Sequence, residues 1–484
     1  MKRCALLLTL LLFATLFAGC GAIALPKEDL EEPVLSPTEY RIRAELSERE
    51  HLLSVETEID YSSPADDLSA VQFMIYPNAY REGHSVVTED KVATAYPSAP
   101  SYGGAEILSV CCDVPITGRD LSEGDLLLTL SLERPLKRGE RLRFKIAETV
   151  TLANIKHRLG YYDGYYYLSG FYPVVCPFVD GKYLTYEYTP YGDPFRLENA
   201  SFTLDLTLPI GMVCASSAEE VRREAQGNNV TLFYRAAAAR EIAFVASGRL
   251  RATTFSHGDT SILYYTADGS DKQRTLDVIE DAMSYYESIY GAYPYPTYSV
   301  VVAPFFESGV EHSGMAVISC DLSFSQKKRT ILHETAHQWW FGKVGNDEYL
   351  SPWIDEGLAE YSVAAYYLAK GYPAVYREII RDAEDAYSIR LALKGSEGVR
   401  FDLPLPDLAE GYYDRVYAGS LLLFSTLSEL VGCDAFHAAL SDIADSYQGE
   451  ILSEGALVAS LSLSLGKDYS SLFRAWLTGV VPLQ

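Results

Sequence analysis

Positive charge is scarce in this sequence. Its 484 residues carry 40 Lys and Arg against 66 Asp and Glu, a formal net charge of −26. Neutralising a phosphate backbone takes clustered Lys and Arg, so the balance argues against nucleic acid as a partner and serves solubility first. The cysteines contain no C-x-x-C pair, which argues against a cysteine zinc site. There is no glycine-rich nucleotide-binding loop, internal repeat or run of heptads. Tryptophan occurs 4 times against 37 tyrosines, which suits polar-rimmed sheets and clefts but selects no function.

The rest of the composition is that of a globular chain, 48% hydrophobic and 22% charged, with length for two or three domains. At the N-terminus Lys2 and Arg3 precede the apolar run Cys4–Ala18, too short for a comfortable transmembrane helix and patterned as a secretory signal. Leu16-Phe17-Ala18-Gly19-Cys20 resembles a bacterial lipobox, which implies cleavage before Cys20 and lipid attachment to its thiol. The alternative is ordinary secretion with cleavage after Ala24. Residues 1–19 are thus expected to be a lipoprotein signal peptide. Residues 20–37, with Pro26, Pro33 and Pro37 among acidic residues, are expected to be a flexible tether. The expected location is extracytoplasmic, at a bacterial surface or in a periplasm. Six other cysteines follow, for which buried free thiols are the simplest expectation.

Period-two alternation begins after the tether: Leu53 to Tyr61, Leu128 to Leu132, Leu142 to Ile146 and Phe202 to Leu208. Residues 38–251 therefore read as a mainly antiparallel β domain. The aromatic stretch Gly160–Pro173 either packs against a sheet or lines a cleft. From residue 252 the texture changes, giving an α+β chain overall. Ser270 with Gln273 forms a capping box opening a helix that Gly291 and Pro294 end. Tyr298–Ala303 reads as a buried strand, followed by the glycine-flanked turn Gly309-Val-Glu311-His-Ser-Gly314 and another strand. Helical periods dominate from Ala374 to the end.

Within that second half lies Thr330-Ile-Leu-His333-Glu334-Thr-Ala-His337. Residues four apart on a helix share a face, so His333 and His337 can reach one metal ion, with Glu334 beside them as a base. A second helix, capped by Ser351 with Pro352 at its first position, brings Glu356 as a third ligand and leaves the fourth position open.

The pattern His333-Glu334-x-x-His337, then eighteen residues, then Glu356 resembles the zinc signature of the aminopeptidase N family of gluzincin metallopeptidases. Gly309-Val-Glu311-His-Ser-Gly314 resembles that family's G-x-M-E-N exopeptidase motif. Ile75–Ala79 and Tyr191–Phe195 resemble segments of its short bacterial members. The resemblance implies a saddle- or sandwich-like β domain, then a thermolysin-like α-rich zinc peptidase domain over 252–484, holding one Zn2+ per chain. It implies that Glu311, flanked by Gly309 and Gly314, binds the α-amino group of peptides with a free N-terminus, and that Glu334 is the general base. A transition-state tyrosine follows at Tyr417, with Tyr413 as the alternative. Glu360 is expected to orient a zinc histidine. No counterpart to the family's β-domain glutamine is found near Leu168-Ser169-Gly170, and the chain stops at Gln484, before the large helical domain of long members, so a more open cleft is expected. The expected partners are peptides and, through Cys20, a membrane. The competing readings are a zinc endopeptidase and a surface-binding lipoprotein with weak catalysis.

Overall fold

A computed structural model describes residues 38–480. Cys20, the signal peptide and the tether lie outside the described residues.

The alternating segments all become strands. Glu39–Ser47, Leu52–Ser62, Arg141–Thr151 and Ala200–Pro209 lie side by side in a seven-stranded sheet. Every pairing in it is antiparallel except Glu39–Ser47 against Ala200–Pro209. Ile42, Val55, Ile59, Phe144, Ile146, Phe202 and Leu204 fill its inner face, as period-two side chains must when one face is dry. The strand Leu127–Leu136 anchors a smaller sheet over the same core.

One residue on that inner face is out of character. Glu148 is 1% exposed, and neither of its carboxylate oxygens has a hydrogen-bond partner among the described residues. Burial alone pushes its carboxyl up to about 8. The folded state thus holds a proton that the unfolded chain releases near its ordinary value of 4.5. Stability is complete below that value and declines as the pH rises to about 8, by about 1.4 kcal/mol per pH unit. Glu148→Leu should raise the thermal midpoint by a few degrees at pH 8.5 and by much less at pH 5. Equal shifts at the two pH values would contradict this.

The strand Arg251–His257 opens a five-stranded sheet that continues through Thr260–Thr266, Thr297–Ala303 and Met315–Ser319 to Gly309–His312 at its edge. Its three inner strands are parallel to one another, and Thr297–Ala303 is buried along its whole length, as a central parallel strand should be. Helices Lys272–Tyr290, Phe324–Ala336 and Trp353–Ala369 share one core with this sheet and with the later helices. No single helix among the described residues is long and apolar enough to cross a membrane.

Three local expectations need correction. Ser270 caps nothing: its hydroxyl and N–H both bond to the Asp268 carboxylate at 2.9 Å, and the helix begins at Lys272 behind Asp271. The Asx turn competes for the same donors and wins. Ser351 stands one residue too early, its N–H taken by the Asp347 carbonyl, and the helix begins at Trp353 behind Pro352. Of the six cysteines in the described residues, all free, only Cys176 and Cys214 are buried, while Cys111, Cys320 and Cys433 are exposed.

Candidate active site

The helix Phe324–Ala336 starts with a capping box, Ser323 accepting from the Gln326 N–H while the Gln326 side chain reaches back to the Ser323 N–H. It delivers His333 and Glu334 in its last turn, with His337 at its C-terminal cap. Gln338 fastens the helix end to the hairpin carrying Glu311: its side-chain oxygen accepts from the Gly314 N–H at 2.9 Å, and its amide donates to the His312 carbonyl at 3.1 Å. Gln338 escaped the sequence reading because nothing in its spacing marks it.

His333 Nε2 and His337 Nε2 face each other at 3.0 Å, with Glu356 Oε2 3.1 Å from the first and 3.5 Å from the second. The rings are held from outside. His337 Nδ1 donates to the Trp340 carbonyl at 3.0 Å, and His333 Nδ1 lies 3.0 Å from Glu360 Oε1. Both Nε2 atoms therefore face the Glu356 carboxylate, so that two imidazoles and a carboxylate are gathered round one point. Against the pull of burial, Glu356 and Glu360 hold the His333 imidazole up at about 10, while His333 and His337 hold Glu356 well below the usual carboxylate range. The donor set fits zinc: two imidazoles and one carboxylate, with outer carboxylate and carbonyl partners fixing the rings. Glu360, itself braced by Arg329 at 2.8 Å, occupies the orienting position.

Glu334 is buried, which pushes its carboxyl up to about 8. Its Oε1 lies so close to Gly309 that a Cβ built there would stand 2.5 Å away, so a bare backbone is required at 309. Glu311, on the edge strand Gly309–His312, is 8% exposed, and burial raises it to about 7. One of its oxygens lies within 4.8 Å of ligand atoms on His337 and Asp355. Asp355 is tied by Asn346 at 2.8 Å.

Tyr417 lies in the widened helical turn Tyr413–Ala418. Its hydroxyl donates to Glu356 Oε1, and its ring stacks on His333 with centroids 6.0 Å apart. Tyr413 is 54% exposed and points to Glu307 at 3.3 Å. Of the two tyrosines it is therefore Tyr417 that meets the triad.

A cavity opens beside Glu311, lined by Tyr76, Tyr172, Phe195 and Phe341 together with Arg158, Asp193, Glu241 and Glu348. Tyr76, Asp193 and Phe195 come from the two β-domain segments singled out in the sequence. The aromatic stretch does both of its possible jobs: Tyr165–Leu168 is buried in a sheet, while Ser169, Gly170 and Tyr172 line the cavity. Phe341 holds a left-handed φ of 139°, clamped by buried Arg240, whose Nε donates to its carbonyl at 2.5 Å. Arg240 also donates to the carbonyls of Leu197 at 3.0 Å and Glu450 at 2.8 Å, joining three distant segments at the cavity wall.

Residues 274–476 match the Peptidase family M1 domain. Aminopeptidase 2 of Candida albicans is 22% identical over 299 residues, covering 57% of this chain and 32% of that one. Aminopeptidase M1-B of Oryza sativa is 23% identical over 300 residues, covering 57% and 34%. The chain thus spans about a third of the length of these curated relatives. The M1 zinc metallopeptidase of Deinococcus radiodurans superposes with a TM-score of 0.65 at 18% identity, covering 94% of this chain and 96% of that one, and therefore shares the whole two-part fold. A variant of that protein with a bound Tyr-Ser-Ala substrate superposes at 0.63.

Proposed function

We propose that this chain, a peptidase family M1 member through residues 274–476, is a zinc aminopeptidase that removes the first residue from peptides with a free N-terminus. The observation that carries the reading is the place of Glu311, a buried carboxylate on a sheet edge, with an oxygen within 4.8 Å of a ring nitrogen of His337, itself one of the triad.

Zinc held by His333, His337 and Glu356 would polarise the scissile carbonyl and make water acidic enough to deprotonate near neutral pH. The edge of Gly309–His312 away from Met315–Ser319, unpaired among the described residues, can take an extended peptide as an added strand. Glu311 pairs with the α-ammonium and rejects chains lacking one, since an acyl cap would leave its carboxylate buried and unpaired. Glu334 takes the proton of the attacking water and passes it to the leaving amine. Tyr417 turns from Glu356 to donate its phenolic hydrogen to the oxyanion forming on the carbonyl.

The test is hydrolysis of a short peptide beside its N-acetylated form. The free peptide should be cleaved at least about a hundredfold faster, the order expected when a buried charge loses its partner. Equal rates would make the chain an endopeptidase. For location, the lipobox-like sequence at Cys20 supports a lipid-anchored, extracytoplasmic enzyme. Cys20→Ala should release the protein from the membrane fraction.

A further inference from the structure

Glu348 belongs to the loop between the histidine helix and the glutamate helix, outside every motif read from the sequence. It is 2% exposed, lines the cavity beside Glu311, and its Oε1 has no hydrogen-bond partner among the described residues. A carboxylate so buried and unpaired is costly unless a ligand completes it.

Its surroundings narrow that ligand. Arg158 already bonds to Asp193, and His312 Nδ1 lies 2.6 Å from Glu241 Oε1. The second Glu241 oxygen accepts from Ser169 at 2.9 Å, so both Glu241 oxygens already have a partner. Glu311 and Glu348 remain with no cation of their own among the lining residues. One oxygen from each of Asp193, Glu311 and Glu348 lies within 4.8 Å of the other two. An equilateral triangle with sides at that limit has its centre about 2.8 Å from each corner, so a group there can stand within the length of a charge-assisted N–H···O bond of all three oxygens. An alkylammonium offers three N–H donors. The cavity's free volume, about 20 Å³, takes a water-sized group such as an ammonium.

We propose that Asp193, Glu311 and Glu348 form a three-carboxylate cradle for the substrate's α-ammonium, with Glu348 binding a hydrogen that Glu311 cannot reach. This deepens the aminopeptidase reading and rests on it. It also supplies the amine contact missing near Leu168-Ser169-Gly170, from Asp193 and from a loop next to the metal helices.

The experiment compares wild type, Glu348→Gln and Glu348→Asp, each checked for zinc content and thermal midpoint. Substrates are aminoacyl fluorophores beginning with Ala, Leu and Arg. Calorimetry on the zinc-loaded protein measures leucinamide and its des-amino counterpart, and reads the cradle even if turnover is absent. Glu348→Gln should raise KM about tenfold to a hundredfold for all three substrates, with kcat within about threefold of wild type. It should weaken leucinamide by the same factor and leave the des-amino compound unchanged, with Glu348→Asp in between. A KM rise confined to the Arg substrate would make Glu348 a side-chain pocket instead. Equal weakening of both amides would make its role structural, and loss of a second metal equivalent would make the cluster a metal site. Each of these overturns the cradle. Leucinamide binding through Glu348 without hydrolysis would leave the cradle standing and overturn the aminopeptidase reading.

Discussion

Glu334→Gln should keep its zinc and lose its turnover, kcat falling by about 10³-fold or more, within the range general-base catalysis contributes. Glutamine has the length and shape of glutamate, so the fit against Gly309 is kept. Neither His333, His337 nor Glu356 depends on Glu334 for its orientation: Glu360 and the Trp340 carbonyl hold the two rings, and the Tyr417 hydroxyl bonds to Glu356. What the amide cannot do is accept the water's proton. Metal content measured beside turnover separates the two effects. Normal hydrolysis would remove Glu334 from the mechanism, and loss of zinc would make it part of the metal site.

Tyr417→Phe should lower kcat by about 10²- to 10³-fold while KM and zinc content stay near wild type, because a hydrogen-bond donor that acts on the developing oxyanion stabilises the transition state alone. Tyr413→Phe should change kcat by less than about threefold, since the Tyr413 hydroxyl reaches Glu307 rather than the triad. The pair of variants settles by kinetics what spacing left open. A larger loss at Tyr413 would exchange the two roles.

The metal site was legible because its geometry is local. Two histidines four apart on a helix share a face whatever surrounds them, and the eighteen-residue interval to Glu356 fits a turn and a short loop. The β portion was legible for the same reason, since period-two burial is written directly into Leu53–Tyr61 and Phe202–Leu208. Glu348, Gln338 and Arg240 were not. Their importance comes from partners far away in the chain: Arg240 holds carbonyls of Leu197, Phe341 and Glu450, and Glu348 meets Asp193 only after folding. No periodicity encodes such meetings. Ser270 failed for the opposite reason, because an Asp two residues earlier offered its N–H and hydroxyl a nearer acceptor than the helix did.

The most direct measurement is metal content followed against aminoacyl-fluorophore hydrolysis, through removal by a chelator and stepwise return of zinc. One zinc per chain should bind, activity should vanish with its removal and return in proportion to zinc up to one equivalent, and Glu356→Gln should bind zinc at least about tenfold more weakly. Full hydrolysis by the metal-free protein, or unchanged zinc affinity in Glu356→Gln, would contradict a zinc aminopeptidase built on His333, His337 and Glu356.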